Sequence, residues 1–336
     1  MSPKQNLALL FGGKNSEHEI SILTATSVFK NLDQNKYAIK LIYINKIGVW
    51  KIIEDFNSIA DLKEDSDVKG DLSRVIELFA SQDFIAFPLI HGKYGEDGTL
   101  QGMLEMLGGK YIGCGVLASA LAMDKSVAKI LFDSIGLKTT KSLTFESFES
   151  RDLIIQKIVE EFKFPVFIKP ARQGSSVGVF KVYDEKSLLN AIDGSFEFDS
   201  KIIVQEYILG REVECAVLGK DDDIQASEIG EIRPKTDFYS YETKYTDGQA
   251  DLIIPAVLDE SVRLELQRQA KMAFKVLGCK DLARVDFFLT SENEIYINEI
   301  NTLPGFTSLS MYPMLWGASG VSYGALLDKL AELSLN

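Results

Sequence analysis

The chain has 336 residues, 46% hydrophobic and 25% charged, which excludes a disordered chain and any small fold that needs covalent staples. Lysine and arginine total 36 against 49 acidic residues, a formal charge of −13; this argues against a general nucleic-acid binder but permits a local basic pocket. No stretch approaches the ~18 apolar residues of a membrane helix. The dispersed Cys114, Cys215 and Cys279 suit a reducing compartment, so a cytoplasmic, membrane-free location is expected.

Asn6–Phe11 reads as a first strand rather than a leader peptide, because a Gly-Gly turn follows at once. A helix is predicted over 20–32 with Ile20, Leu23, Val28 and Leu32 inward, then a strand over 37–44. The acidic stretch Glu54–Asp71 reads as a solvated loop. Phe84–Leu89 suits a parallel strand, and 98–107 a helix. This alternation predicts a doubly wound parallel sheet over about the first 120 residues. A helix over 124–135, with Val127, Ile130, Leu131 and Ile135 on one side, ends at Gly136. Beyond it the rhythm becomes α+β: strands at 164–169, 177–182, 202–207 and 213–218, helices near 150–162 and 185–192, and a hairpin from 282–289 into 294–300. Boundaries near 121 and 205–212 give three joined domains.

Five regions carry chemistry-bearing residues. In the last hairpin, Arg284 and Asp286 share one strand face, as do Glu299 and Asn301. A two-residue turn at Glu292-Asn293 would place Asp286 opposite Glu299; the oxygen donors then suit Mg²⁺, or the surface is a solvated face with an arginine among acids. In Phe164–Gly178 a strand delivers Lys169 to a loop with Gly174, Ser175, Ser176 and Gly178. That loop either covers phosphates or is only a hairpin turn, and it lacks the Walker pattern. In Phe11–Glu19 a capping box of Ser16 and Glu19 explains those two residues and leaves Glu17 and His18 unexplained. His91 sits in a glycine-rich segment after a parallel strand, where α/β sheets place their sites, or in a plain solvated turn. Glu231–Gly248, with Arg233, Tyr239, Tyr241, Lys244 and Tyr245, reads as a long functional loop.

Taken together, HGKYGEDGTLQG, VLASALAMDK, KPARQGSSVG, ETKY, ARVDFF and NEINTLPGFTSLSMYP resemble the D-alanine–D-alanine ligases of the ATP-grasp superfamily over essentially the full chain. The resemblance implies an N-terminal α/β substrate domain (1–121), a central ATP-grasp subdomain (122–208) and a C-terminal one (209–336) with metal site and mobile lid. It implies ATP-dependent joining of two D-alanines through an acyl phosphate for peptidoglycan precursors, with two Mg²⁺ ions (Mn²⁺ substituting) and a homodimer. A D-lactate-using ligase or another ATP-grasp carboxylate–amine ligase is the alternative.

By that resemblance Lys125 and Lys169 contact the nucleotide phosphates, with Ser175 and Ser176 in the loop above them. Gln205, Glu206, Tyr207 and Ile208 surround the adenine, and Glu212 holds the ribose. Asp286, Glu299 and Asn301 are the metal ligands. Glu17 binds the first D-alanine's ammonium, with His91 and Glu96 at the substrate end. Arg284 and the Gly305 N–H stabilise the oxyanion, and Ser310 and Met311 hold the second carboxylate. Lys244 lies on the closing loop, secured by a Tyr245–Ser175–Glu17 triad. Gln205 replaces an acid found in some relatives.

Overall fold

Apolar runs punctuated by glycine build three sheets, and the computed structural model describes residues 3–57, 70–235 and 250–335. The first sheet contains β1 (Gln5–Gly12), β2 (Tyr37–Ile44), β3 (Trp50–Ile53), β4 (Ile85–Pro88) and β5 (Lys110–Tyr111) in the order β3-β2-β1-β4-β5. β1 pairs in parallel with β2 on one side and β4 on the other. The crossover direction reverses at β1, which opens a crevice beyond the carboxyl ends of β1 and β4. The doubly wound reading holds, with an unforeseen antiparallel edge strand, β3. Of the expected acidic loop, residues 58–69 lie outside the described residues.

The second sheet holds β6 (Ser142–Glu146), β7 (Val166–Pro170), β8 (Phe180–Val182) and β9 (Lys201–Glu206) in the order β6-β9-β7-β8. The third holds β10 (Arg211–Lys220), β11 (Asp223–Pro234), β12 (Ala250–Ile253), β13 (Asp281–Leu289) and β14 (Ile295–Asn301) in the order β12-β11-β10-β13-β14. All their pairings are antiparallel. Of the loop expected over 231–248, residues 231–234 instead complete β11 against β12; residues 236–249 lie outside the described residues.

One hydrophobic cluster joins the first sheet to the third. Leu7, Leu9 and Phe87 pack with Ala216, Leu218 and Leu282 through Phe306, Tyr312 and Trp316. The Phe306 ring lies edge-on to Phe87 at 5.7 Å and tilted against Tyr312 at 5.4 Å. Each such fully buried side chain contributes about 1.5–3 kcal/mol, so the first sheet is anchored to the C-terminal helices Met311–Ala318 and Tyr323–Leu333. On the other side, helices Lys125–Ser134 and Glu260–Val276 bury Phe132 and Phe274 against Phe287. A third cluster, around Phe145, Ile168 and Val204, belongs to the second sheet.

Two helix faces differ from their apolar pattern. The helix His18–Asn31 buries Ser21, Thr24, Ala25 and Val28 and turns Leu23 outward, 57% exposed. Hydrogen bonding explains it: Gly12 N donates to Ser21 Oγ at 2.8 Å, and Ser21 Oγ donates to Leu89 O at 2.6 Å. The helix Lys125–Ser134 buries Ala128, Lys129 and Phe132, leaving Ile130 66% exposed. Nor does the Ser16–Glu19 capping box close this first helix. Its N-cap is Glu17, without a side-chain cap bond, and Glu19 pairs with Lys46 at 2.8 Å.

Candidate active site

The Gly-Gly turn after β1 exists because its backbone crosses β2 closely. A Cβ on Gly12, at φ +89°, would lie 2.1 Å from Ile44 O. Asn15 then ties this turn to the loop after β4, its Nδ2 donating to His91 O at 2.9 Å and Lys93 O at 3.0 Å. Asn15 Oδ1 accepts from Glu17 N. His18 is a brace, bonded to Gly13 O and to the Tyr43 hydroxyl. Glu17 instead aims at the crevice, where its Oε2 accepts from Ser175 Oγ at 2.6 Å. Gly92 makes room, since a Cβ there would sit 2.6 Å from Glu17 Oε1. His91 is buried, with ring nitrogens 2.9 Å from Thr24 Oγ1 and 3.2 Å from Leu303 O, and Glu96 3.6 Å away. Burial opposes charging the imidazole, but Glu96 and then Glu17 outweigh it and raise its pKa.

The face of the third sheet supplies the opposite wall. Its ladder sets Gly230, Glu214, Asp286 and Glu299 in one row across β11, β10, β13 and β14, with Arg284 paired to Asn301 in the next. The Asp286–Glu299 pairing is as expected, by a different route. The turn is three residues long, with Asn293 at φ +62°, so Leu289 meets Ile295 and Phe287 meets Ile297. A bulge at Asn298 then restores the register, the type of local device common beside active sites. Arg284 spans the row: its Nε and Nη2 donate to the two Asp286 oxygens, each at 2.7 Å, and Nε lies 3.0 Å from Glu214 Oε2. Burial disfavours its charge, but Asp286 and Glu214 overcome that and raise its pKa.

Two cavities meet over this face. The larger, of about 660 Å³, touches Glu17, His91, Glu96, Glu214, Arg284, Asn301, Gly305, Ser310 and Met311. The smaller, of about 370 Å³, has an apolar end at Phe167, Val179, Tyr207, Ile208 and Phe288, with Gln205, Glu206 and Glu212 beside it, and a polar end at Lys169 and Ser176. Lys125, Gly174, Ser175 and Glu299 line both. At this junction Lys125 Nζ donates to Gln173 O at 2.8 Å and lies 3.4 Å from Glu299 Oε2. Ser175 and Ser176 hold φ near +52° and +58°, uncommon for residues with a side chain and a sign of a loop shaped for a site.

Nearly every expected site residue converges here. Asp286 lines neither cavity, its carboxylate being held by Arg284. Lys244 and Tyr245 lie outside the described residues, so of the expected triad the Ser175–Glu17 half is described. Sequence reasoning missed Glu214, which reads as one alternation of an ordinary strand. The Glu-Val-Glu spacing from Glu212 was the available signal, since it puts both carboxylates on one face. Among the described residues no three His, Cys, Asp or Glu side chains form a metal cluster. The donors of Asp286, Glu299 and Asn301 are all oxygens, with the two acids facing each other, and so fit a hard divalent cation completed by phosphate oxygens.

Two known families match most of the length of the chain. The description "D-ala D-ala ligase N-terminus" matches residues 6–114, and "D-ala D-ala ligase C-terminus" matches residues 131–332. The chain belongs to the D-alanine–D-alanine ligase family. A family member from Chloroherpeton thalassium is 43% identical over 99% of this chain and 96% of its own. Among solved structures, the VanG D-Ala:D-Ser ligase from Enterococcus faecalis is 37% identical, with a TM-score of 0.86 over 99% of this chain and 100% of its own. The D-alanine–D-alanine ligase from Bacillus anthracis complexed with ATP is 28% identical, with a TM-score of 0.78 over 98% and 97%. The fold is the ATP-grasp one expected from the motifs.

Proposed function

We propose that this enzyme is a D-alanine–D-alanine ligase, joining two D-alanines with conversion of ATP to ADP and phosphate for peptidoglycan precursors. The observation that carries the reading is the junction at Lys125, Ser175 and Glu299, where the base-and-phosphate cavity opens into the amino-acid cavity. A purine fits the apolar end between Phe167, Tyr207, Ile208 and Phe288. Gln205 and the Glu206 backbone supply polar edges there, and Glu212 accepts from the ribose hydroxyls. Lys125 and Lys169 neutralise the phosphates under the Ser175–Ser176 loop.

Glu17, with His91 and Glu96, receives the ammonium of the first D-alanine. One carboxylate oxygen of that D-alanine attacks the γ-phosphorus as the bond to ADP breaks, giving an acyl phosphate. The second D-alanine places its carboxylate at the N-terminus of the helix Met311–Ala318, beside Ser310, where unpaired N–H groups favour an anion. Its amine attacks the acyl carbon and loses a proton; phosphate leaves with the oxygen that bound it. Arg284 and the Gly305 N–H stabilise the tetrahedral oxyanion. Asp286, Glu299 and Asn301 would hold Mg²⁺ or Mn²⁺, which supplies charge neutralisation at the phosphates. A cytoplasmic homodimer is part of this reading; among the described residues no helix is long and apolar enough to cross a membrane.

Phosphate release from ATP should depend on D-alanine and be absent with L-alanine or D-lactate alone. Equal release with all three would overturn the reading.

A further inference from the structure

We propose that Glu214 receives the amine of the second D-alanine and is the residue that selects an amino acid over a hydroxy acid as acceptor. The assignment rests on the ligase reading above, in which the second substrate lies between Arg284 and Ser310–Met311.

The geometry comes from one row of the third sheet. Glu214 pairs with Gly230 on one side and Asp286 on the other, and directly paired residues present the same face. Gly230 is where the helix Met311–Ala318 settles: a Cβ there would lie 2.4 Å from Met311 Cε and 2.8 Å from Leu315 Cδ2. Met311 thus covers the position next to Glu214, and Arg284 lies 3.0 Å from its carboxylate on the other flank. Glu214 lines the larger cavity, between the group that faces the reacting carbonyl and the group that holds the second carboxylate. An α-amino acid bridging those two must put its amine in this interval.

Charge and hydrogen-bond capacity agree with the position. Arg284 contacts two carboxylates, Glu214 and Asp286, and Glu214 is the one of them that lines the larger cavity. A carboxylate has two oxygens and about four acceptor sites. Its side chain is only 7% exposed, where a charge-assisted bond is little screened. D-Alanine brings an ammonium to that carboxylate; D-lactate, otherwise the same size, brings a neutral hydroxyl.

The test separates the two amino-acid sites by initial rates over a wide D-alanine range at pH 7. Glu214→Gln should raise the KM of the second D-alanine by about tenfold to a hundredfold, the weight of one hydrogen bond to a charged group. The first-site and ATP constants should move less than about twofold, and the ester share should rise by a like factor in equal D-alanine and D-lactate. Glu214→Asp should restore most of the preference for amine. In the native enzyme D-lactate should compete with the second D-alanine at least about tenfold more weakly than D-alanine binds; equal competition overturns the proposal whatever the variants do. A fall in kcat with the KM values and product ratio unchanged would make Glu214 a support for Arg284 only. A raised Mg²⁺ requirement with both D-alanine constants unmoved would place it with the metal ligands. Either result overturns the assignment. No phosphate release by the native protein with D-alanine would overturn the ligase reading beneath it.

Discussion

Arg284, on the wall of the larger cavity, and Lys129, bonded to Thr140 on the wall of the smaller, are both cations largely withdrawn from solvent, yet their surroundings drive them in opposite directions. Arg284 meets the Asp286 and Glu214 carboxylates and is held charged. Lys129 donates to two neutral oxygens, Thr140 O and Thr140 Oγ1, each at 2.7 Å. Burial, and then repulsion from Lys169, push its pKa down to about 7. A buried cation paired with anions keeps its charge for chemistry, whereas one paired with dipoles is close to giving its proton up. Lys129 accordingly serves as a brace: Thr140 Oγ1 also accepts from Gln205 Nε2 at 2.9 Å, and both Thr140 and Gln205 line the smaller cavity.

The sharpest way to break this contrast is Arg284→Met. It should lower kcat by about 10²–10³ through loss of oxyanion stabilisation. It should also destabilise the fold by about 3–5 kcal/mol, because the buried Glu214 and the partly buried Asp286 lose the guanidinium between them. Urea denaturation checks the second effect, and unchanged stability would mean that the pair is not the close one described. Next is Glu299→Gln, which should raise the Mg²⁺ needed for half-maximal turnover by at least about tenfold. The melting temperature should stay nearly unchanged, since Glu299 lies on a cavity surface rather than in packed core; a cooperative loss of structure would count against a ligand role.

Lys129→Met tests the other half. In the unfolded chain a lysine titrates near ~10.4, above its folded value of about 7. Between those values the unfolded state binds the extra proton, so stability rises with pH; below pH 7 both states are charged and the full burial penalty is present. The native protein should therefore gain up to about 1.4 kcal/mol per pH unit relative to Lys129→Met from pH 7 to 9. Parallel denaturation curves would refute the depressed pKa. The smallest effect belongs to Lys138, whose contacts with Glu294 at 2.9 Å and the Tyr296 ring lie on the surface. Lys138→Met should leave the denaturation midpoint unmoved within error, because solvent screens exposed pairs.

Motif spacing picked out most of the chemistry-bearing residues that line the two cavities, because strands and tight turns transmit local sequence directly into position. The ladder between β13 and β14 is instructive: Asp286 meets Glu299 only because the extra turn residue is cancelled by the bulge at Asn298. Period-2 reasoning reached the right pair without either feature. The helix 18–31 buries Val28, and its C-cap Leu32 is buried too, as expected, but the rest of its inward face departs from the apolar pattern for a different reason. Ser21 and Thr24 bury as hydrogen-bond partners of Gly12, Leu89 and His91, which outrank the outward Leu23. Polar burial of this kind depends on chain segments far apart in sequence. Glu214 was hidden likewise, since its neighbours Arg284 and Gly230 come from two other strands.

The central claim is that phosphoryl transfer to a D-alanine carboxylate occurs where Lys125, Ser175 and Glu299 join the two cavities. Oxygen tracing tests it most directly. D-Alanine labelled with ¹⁸O in both carboxylate oxygens is incubated with ATP, and the released phosphate is analysed by mass. One ¹⁸O per phosphate is predicted, because the oxygen that attacked phosphorus leaves with it when the amine displaces the acyl phosphate. Phosphate free of label, alongside dipeptide formation, would contradict the account.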